Sequence, residues 1–92
     1  MSKRKLIYSI LKEIDKGNNP SKEDYGMTFD EFFDIALFLK KEGLIRKEMI
    51  AKDLIDFSFA QVTLSGMKYL DENSSLAKTY KGLKEVRSWL PL

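Results

Sequence analysis

Residues 28–45 read TFDEFFDIALFLKKEGLI, and both ends of a helix are written into them. Thr28 and Glu31 form a T-x-x-E capping box: the hydroxyl accepts from the Glu31 amide, and the carboxylate accepts from the Thr28 amide. Met27 and Phe32 stand at the two positions of a hydrophobic staple. Asp30, Glu31 and Asp34 lie near the positive end of the helix dipole, and Lys40 and Lys41 near the negative end. Gly43 suits a left-handed residue after the C-cap, with Leu44 placed to touch Leu39. These signals predict a helix over 28–42. At about 100° per residue, Phe29, Phe32, Phe33, Ala36 and Leu39 gather on one face and Asp30, Glu31, Asp34 and Lys41 on the other. Phe38 falls in the middle of the polar face. Either the loop 51–59 or a C-terminal helix folds over it, or it is an aromatic anchor for a partner.

Working outward, residues 3–16 repeat the helical period: Leu6, Ile7, Ile10, Leu11 and Ile14 form a stripe, and Gly17 and Pro20 end it. Residues 21–26, SKEDYG, allow about one turn between the two helices. Residues 44–64 turn β-branched and aromatic, which predicts antiparallel strands near 45–49 and 59–64. Their join, AKDLID, has no Asn-Gly or Asp-Gly pair, so a long loop is expected. Within it, Leu54, Ile55, Phe57 and Phe59 are apolar enough to pack back onto the domain or to form a partner-binding ridge. Residues 65–73 read as a short helix with Met67 and Leu70 inward. Residues 76–90 read as a last helix striped by Leu76, Tyr80, Leu83 and Leu90. Trp89 lies at the edge of that stripe, and Gly82 inside it costs roughly 1 kcal/mol against Ala. The order predicts one α+β domain over 1–92, a winged helix-turn-helix with a β-hairpin wing and two C-terminal helices.

The chain of 92 residues has no histidine and no cysteine. That removes Ser-His and Cys-His nucleophile systems and zinc sites of the usual nitrogen and sulfur type. The glycines are scattered at caps and turns, so no phosphate-cradling loop is present. Asp30 and Asp34, one turn apart, read as solvated acids. A non-enzymatic protein without cofactor or metal is expected. The apolar run after MSKRK breaks at Lys12, and no stretch is of membrane-spanning length, so a cytoplasmic location is expected.

Charge is unevenly spread. Residues 1–19 carry five Lys/Arg against two Asp/Glu, and residues 20–43 carry three against six. Residues 44–64 balance at three each, and residues 65–92 carry five against three. The central helical region, residues 20–43, is therefore the acidic part, and the two terminal segments are the basic parts.

The stretches KRKLIYSILKEI, DYG, EGLI, VTLSGMKYLDENS and TYKGLKEVRSWLP together resemble the YjcQ family of Gram-positive bacteria and their prophages. The resemblance implies a winged-helix fold and a phage-associated regulator or accessory protein, and it carries over no catalytic residues. Two functional expectations follow. Duplex DNA would be met by Lys3, Arg4, Lys5, Lys22, Lys41, Arg46, Lys47 and Lys52, because the leading part of helix 28–42 bears acids that repel phosphate. Alternatively, a protein partner or a second copy would bind the outer face of that helix through Asp30, Glu31, Asp34 and Phe38.

Overall fold

The computed structural model describes residues 2–78. Helix α1 runs Lys3–Asp15, a 3-10 turn covers Lys22–Tyr25, and helix α2 spans Phe29–Lys41. Four short strands follow: β1 Ile45–Arg46, β2 Met49–Ala51, β3 Leu54–Asp56 and β4 Gln61–Val62. Helix α3, Leu64–Glu72, leads into a second 3-10 turn, Ser74–Lys78. The architecture is α+β, and its order of helix, turn, helix and antiparallel hairpin is consistent with a winged helix. Of the helix expected over 76–90, only the part to Lys78 is described, as 3-10 turn; Tyr80, Gly82, Leu83, Trp89 and Leu90 lie outside the described residues.

Both ends of α2 form as their residues dictate. Glu31 N–H donates to Thr28 Oγ1 at 3.2 Å, and Thr28 N–H donates to Glu31 Oε1 at 3.0 Å. At the other end Gly43 adopts φ 67°, Leu44 N–H reaches the Leu39 carbonyl at 2.9 Å, and Gly43 N–H reaches that of Lys40 at 3.0 Å. This pair of bonds is the Schellman closure. The buried stripe, however, is Phe32, Ile35, Ala36 and Leu39. Phe29 and Phe33, expected inward, are half-buried and stack on each other with ring centroids 5.7 Å apart. The helix is rotated toward Ile35, and a ring from the hairpin packs on it: Phe57 meets Phe32 edge-on at 5.9 Å.

Helix α1 is buried over a wider arc than its stripe suggested, with Tyr8, Ser9 and Glu13 enclosed alongside Ile7, Ile10, Leu11 and Ile14. Ser9 and one oxygen of Glu13 are hydrogen-bonded, as burial favours, whereas Glu13 Oε2 accepts no hydrogen bond from any described residue. Ser9 Oγ and Tyr25 Oη lie 2.9 Å apart, tying α1 to the 3-10 turn. Glu13 Oε1 accepts from Asn18 Nδ2 at 2.9 Å, and its Oε2 lies 3.5 Å from Lys16 Nζ.

The β region departs most from expectation. Instead of two strands over 45–49 and 59–64, the hairpin carries two ladders in succession. Ile45 and Arg46 pair with Val62 and Gln61, and Met49, Ile50 and Ala51 pair with Asp56, Ile55 and Leu54. The loop is two residues, Lys52 and Asp53, not long. Among the described residues the non-glycine at positive φ is Lys47, so this loop is not the primed turn that Asn-Gly signals. Between the ladders Lys47 and Glu48 face residues 57–60 of the return strand. Phe57 there leaves the ladder for the core and is 1% exposed.

Helix α3 is docked by a glycine. Gly66 and Leu70 face inward, while Met67, expected inward, is 48% exposed. A Cβ on Gly66 would collide with the Leu44 carbonyl oxygen and lie 2.6 Å from Val62 Cγ1. The contact is closest at Gly66, which turns Met67 outward. That carbonyl is fixed, since Thr63 N–H donates to it at 3.0 Å.

Two predictions follow from this packing. An exposed helical Gly→Ala change stabilises by up to about 1 kcal/mol, whereas overpacking costs about 1–3 kcal/mol or more. Gly66→Ala is therefore expected to lower the melting temperature, and a raised one would contradict the docking. Burial holds the Tyr25 phenol well above its ordinary range against the pull of its Ser9 hydrogen bond, and the nearby Glu13 and Asp24 charges push the same way as burial. Stability from a neutral Tyr25 is complete below about pH 10, where the unfolded phenol ionises, and is lost above it. Thermal melts should show stability falling above pH 10, with a shallower fall in Tyr25→Phe.

Candidate interaction surfaces

The wing has two faces, set by alternation along β2 and β3. Ile50 and Ile55, a cross-strand pair, pack against the core. Met49 and Leu54 point outward and are 54% and 47% exposed. Of the loop residues expected to pack back, Phe57 is buried and Ile55 half-buried, whereas Leu54 and Phe59 are exposed.

Asn19 ties the loop after α1 to the return strand of the wing. Its Oδ1 accepts the Phe57 amide at 2.9 Å, and its Nδ2 donates to Asp56 Oδ1 at 3.0 Å and Ser58 Oγ at 3.2 Å. Asp56 also receives the Ser58 amide and hydroxyl, and these two bonds are the main reason its carboxyl titrates below the ordinary range. Nothing in the Asn-Asn-Pro stretch marked Asn19 in advance, because its partners stand 37 to 39 residues away.

The acids on α2 are brought together on its solvent side: Asp30, Glu31 and Asp34 are all exposed. The backbone amide and side chain of Thr28 hold the Glu31 carboxyl below its usual range. Phe38 is half-buried and packed against the core. The eight cationic candidates are distributed over separate elements. Lys3, Arg4 and Lys5 begin α1, Lys22 lies in the 3-10 turn and Lys41 ends α2. Arg46 and Lys47 lie at the wing base, and Lys52 at its tip. Three of the eight are engaged. Arg4 Nε and Nη2 donate to Asn73 Oδ1 at 3.2 and 3.1 Å, Arg46 Nε donates to Gln61 Oε1 at 2.9 Å, and Lys22 Nζ lies 3.6 Å from Glu23.

Among the described residues, grooves flank α2. One, of about 180 Å³, lies between the hairpin tip and the 3-10 turn and includes Ser21, Phe29, Phe32, Asp53 and Leu54. Another, of about 290 Å³, lies between α1 and α2 and is lined by Lys3, Leu6, Met27, Glu31, Asp34 and Ile35. Among the described residues no group of three or more His, Cys, Asp or Glu is placed to hold a metal ion. No helix among them is long and apolar enough to cross a membrane.

The family model described as "YjcQ protein" matches residues 8–89. The chain belongs to the YjcQ family. It is 42% identical over 93 aligned residues to the YjcQ protein of Bacillus subtilis (strain 168), covering 98% of this chain and 99% of that one. No solved structure matches it. Family membership therefore extends over the helices, the wing and α3 alike.

Removing the Asn19 side chain leaves the enclosed Phe57 amide without its acceptor, at about 1–3 kcal/mol. Asn19→Ala is expected to lower stability by that order and to speed hydrogen exchange at the Phe57 amide. Unchanged exchange there would mean that the wing is held by Phe57 packing alone.

Proposed function

We propose that this YjcQ family chain is a non-enzymatic binding module whose partner is a protein, either another chain or a second copy. The observation that carries this reading is the outer face of the wing. A wing that tracks a phosphate backbone gains from cations, yet Met49 and Leu54 stand outward here. Exposed apolar side chains flanked by charge suit a protein interface better than a duplex. The leading half of α2 supports the same reading. A helix of this order that enters the major groove uses its N-terminal residues, and here those include Asp30, Glu31 and Asp34. The missing histidine and cysteine support a role without covalent chemistry.

Duplex DNA is the second reading, with the chain as a phage-associated transcriptional regulator. It is favoured by Lys47 and Lys52, which are exposed at the base and tip of the wing, and by the winged-helix order of elements.

One pair of measurements separates the two. Leu54→Lys is expected to leave the melting temperature within about 0.5 kcal/mol of wild type, as surface changes do, and to abolish concentration-dependent association in sedimentation equilibrium. Random duplex DNA at low salt is expected to give no shift with micromolar protein. The protein reading is overturned by duplex binding that weakens steeply with salt and is lost in Lys47→Ala with Lys52→Ala but kept in Leu54→Lys.

A further inference from the structure

The groove between the start of α1 and the leading half of α2 combines an apolar floor with an acidic rim. Leu6, Met27 and Ile35 supply the floor, and Glu31 and Asp34 stand on the α2 side. We infer that this groove takes a lysine or arginine side chain of a partner protein, with its methylene stem over Leu6, Met27 and Ile35 and its cation between Glu31 and Asp34. This rests on the protein-binding reading above and names the chemistry of that partner.

Size is the first argument. At about 290 Å³ the groove lies at the lower edge of sites that enclose a whole small molecule, roughly 300–1,000 Å³. A single long side chain suits it better. Lysine and arginine stems lie along apolar surface while their charged heads stay at the rim, and this groove offers both surfaces in that order.

Charge is the second argument. Two carboxylates and one ammonium, Lys3, line the groove. An anionic partner, duplex phosphate included, would face the net negative side, whereas a cation is attracted to it. Lys3 lies on the α1 wall, so the favourable position for a cation is the α2 wall.

Preorganisation is the third. Glu31 and Asp34 are three apart on one helix, the spacing at which side chains are neighbours. Glu31 is held in place through its Oε1, which accepts the Thr28 amide, and its second oxygen remains on the same fixed group. The Asp34 carboxylate makes no hydrogen bond or ion pair with any described residue. A guanidinium offers paired donors to carboxylates in this kind of arrangement. Because the rim carboxylate is already oriented, less ordering is needed on binding.

The test is an amide chemical-shift titration of the full chain with acetyl-Leu-Arg-Leu-amide, against the same peptide carrying neutral, near-isosteric citrulline. The arginine peptide is expected to move the amides of Lys3, Leu6, Met27, Glu31, Asp34 and Ile35. The citrulline peptide, and the arginine peptide on Asp34→Asn, should bind about tenfold more weakly, as for one lost charge-assisted hydrogen bond. Asp34 is exposed, so the Asn variant should melt like wild type. Equal binding of the citrulline peptide, shifts confined to another surface, unchanged affinity in Asp34→Asn, or no shift at millimolar peptide each overturns the assignment. Any of these outcomes with the Leu54→Lys effect intact removes the groove alone. If Leu54→Lys is also silent, the protein-binding reading falls with it.

Discussion

The junction of α2, the wing and α3 rests on a single backbone carbonyl, that of Leu44. It lies one residue past Gly43, and its oxygen receives the Thr63 amide at the N-cap of α3. Thr63 Oγ1 donates to the neighbouring Gly43 carbonyl and accepts the Gly66 amide, so one side chain closes both helix ends. Gly66 lies so close behind that carbonyl that a side chain there would force the backbone to shift. Thr63 thereby satisfies an orphan amide of α3 and a carbonyl beyond the end of α2 together. Ile45 next to Leu44 pairs with Val62 next to Thr63, so the base of the wing has no independent position.

A second constraint sets what the wing shows to solvent. Burying Phe57 against Phe32 coincides with a break in which residues 57–60 of the return strand leave the ladders. Asn19 takes over the Phe57 amide that would otherwise bond within the ladder. Beyond this break the period of two resumes, sending Ile50 and Ile55 inward and Met49 and Leu54 outward. The apolar outer face thus follows from the register that the break imposes, and the aromatic contact and the interaction surface are two ends of one arrangement.

Electrostatics adds a division of the surface. The net charge of +2 hides a local imbalance, since the leading half of α2 carries three acids and no cation. Asp30, Glu31 and Asp34 stay in solvent, Lys5, Lys47 and Lys52 stand on other elements, and Lys41 stands at the far end of α2. Arginines behave differently: Arg4 and Arg46 are both held by amide oxygens of Asn73 and Gln61, which suits a planar donor better than a lysine ammonium. The basic content of the chain is therefore partly structural.

Local chemistry was legible in the sequence because its causes are local. The capping box of Thr28 and Glu31, the closure at Gly43, the helical stripe of α1 and the α+β order need only neighbours within a few residues, and they stand as read. The exposed acids of α2 were legible for the same reason. What the sequence left open depends on residues far apart in the chain. Phe33 yields its inward place to Ile35 where Phe57 arrives against Phe32. Met67 turns out because Gly66 needs the closest contact with Leu44. The two-residue turn at Lys52 and Asp53 carries no primed-turn signature because neither residue has positive φ. Asn19 carries no local signal at all, since its three partners, Asp56, Phe57 and Ser58, become neighbours only once the hairpin has folded over. Hydrogen bonds within a helix turn are specified by adjacent residues, whereas the facing of a helix or strand is chosen by what packs against it, and only the tertiary structure decided that.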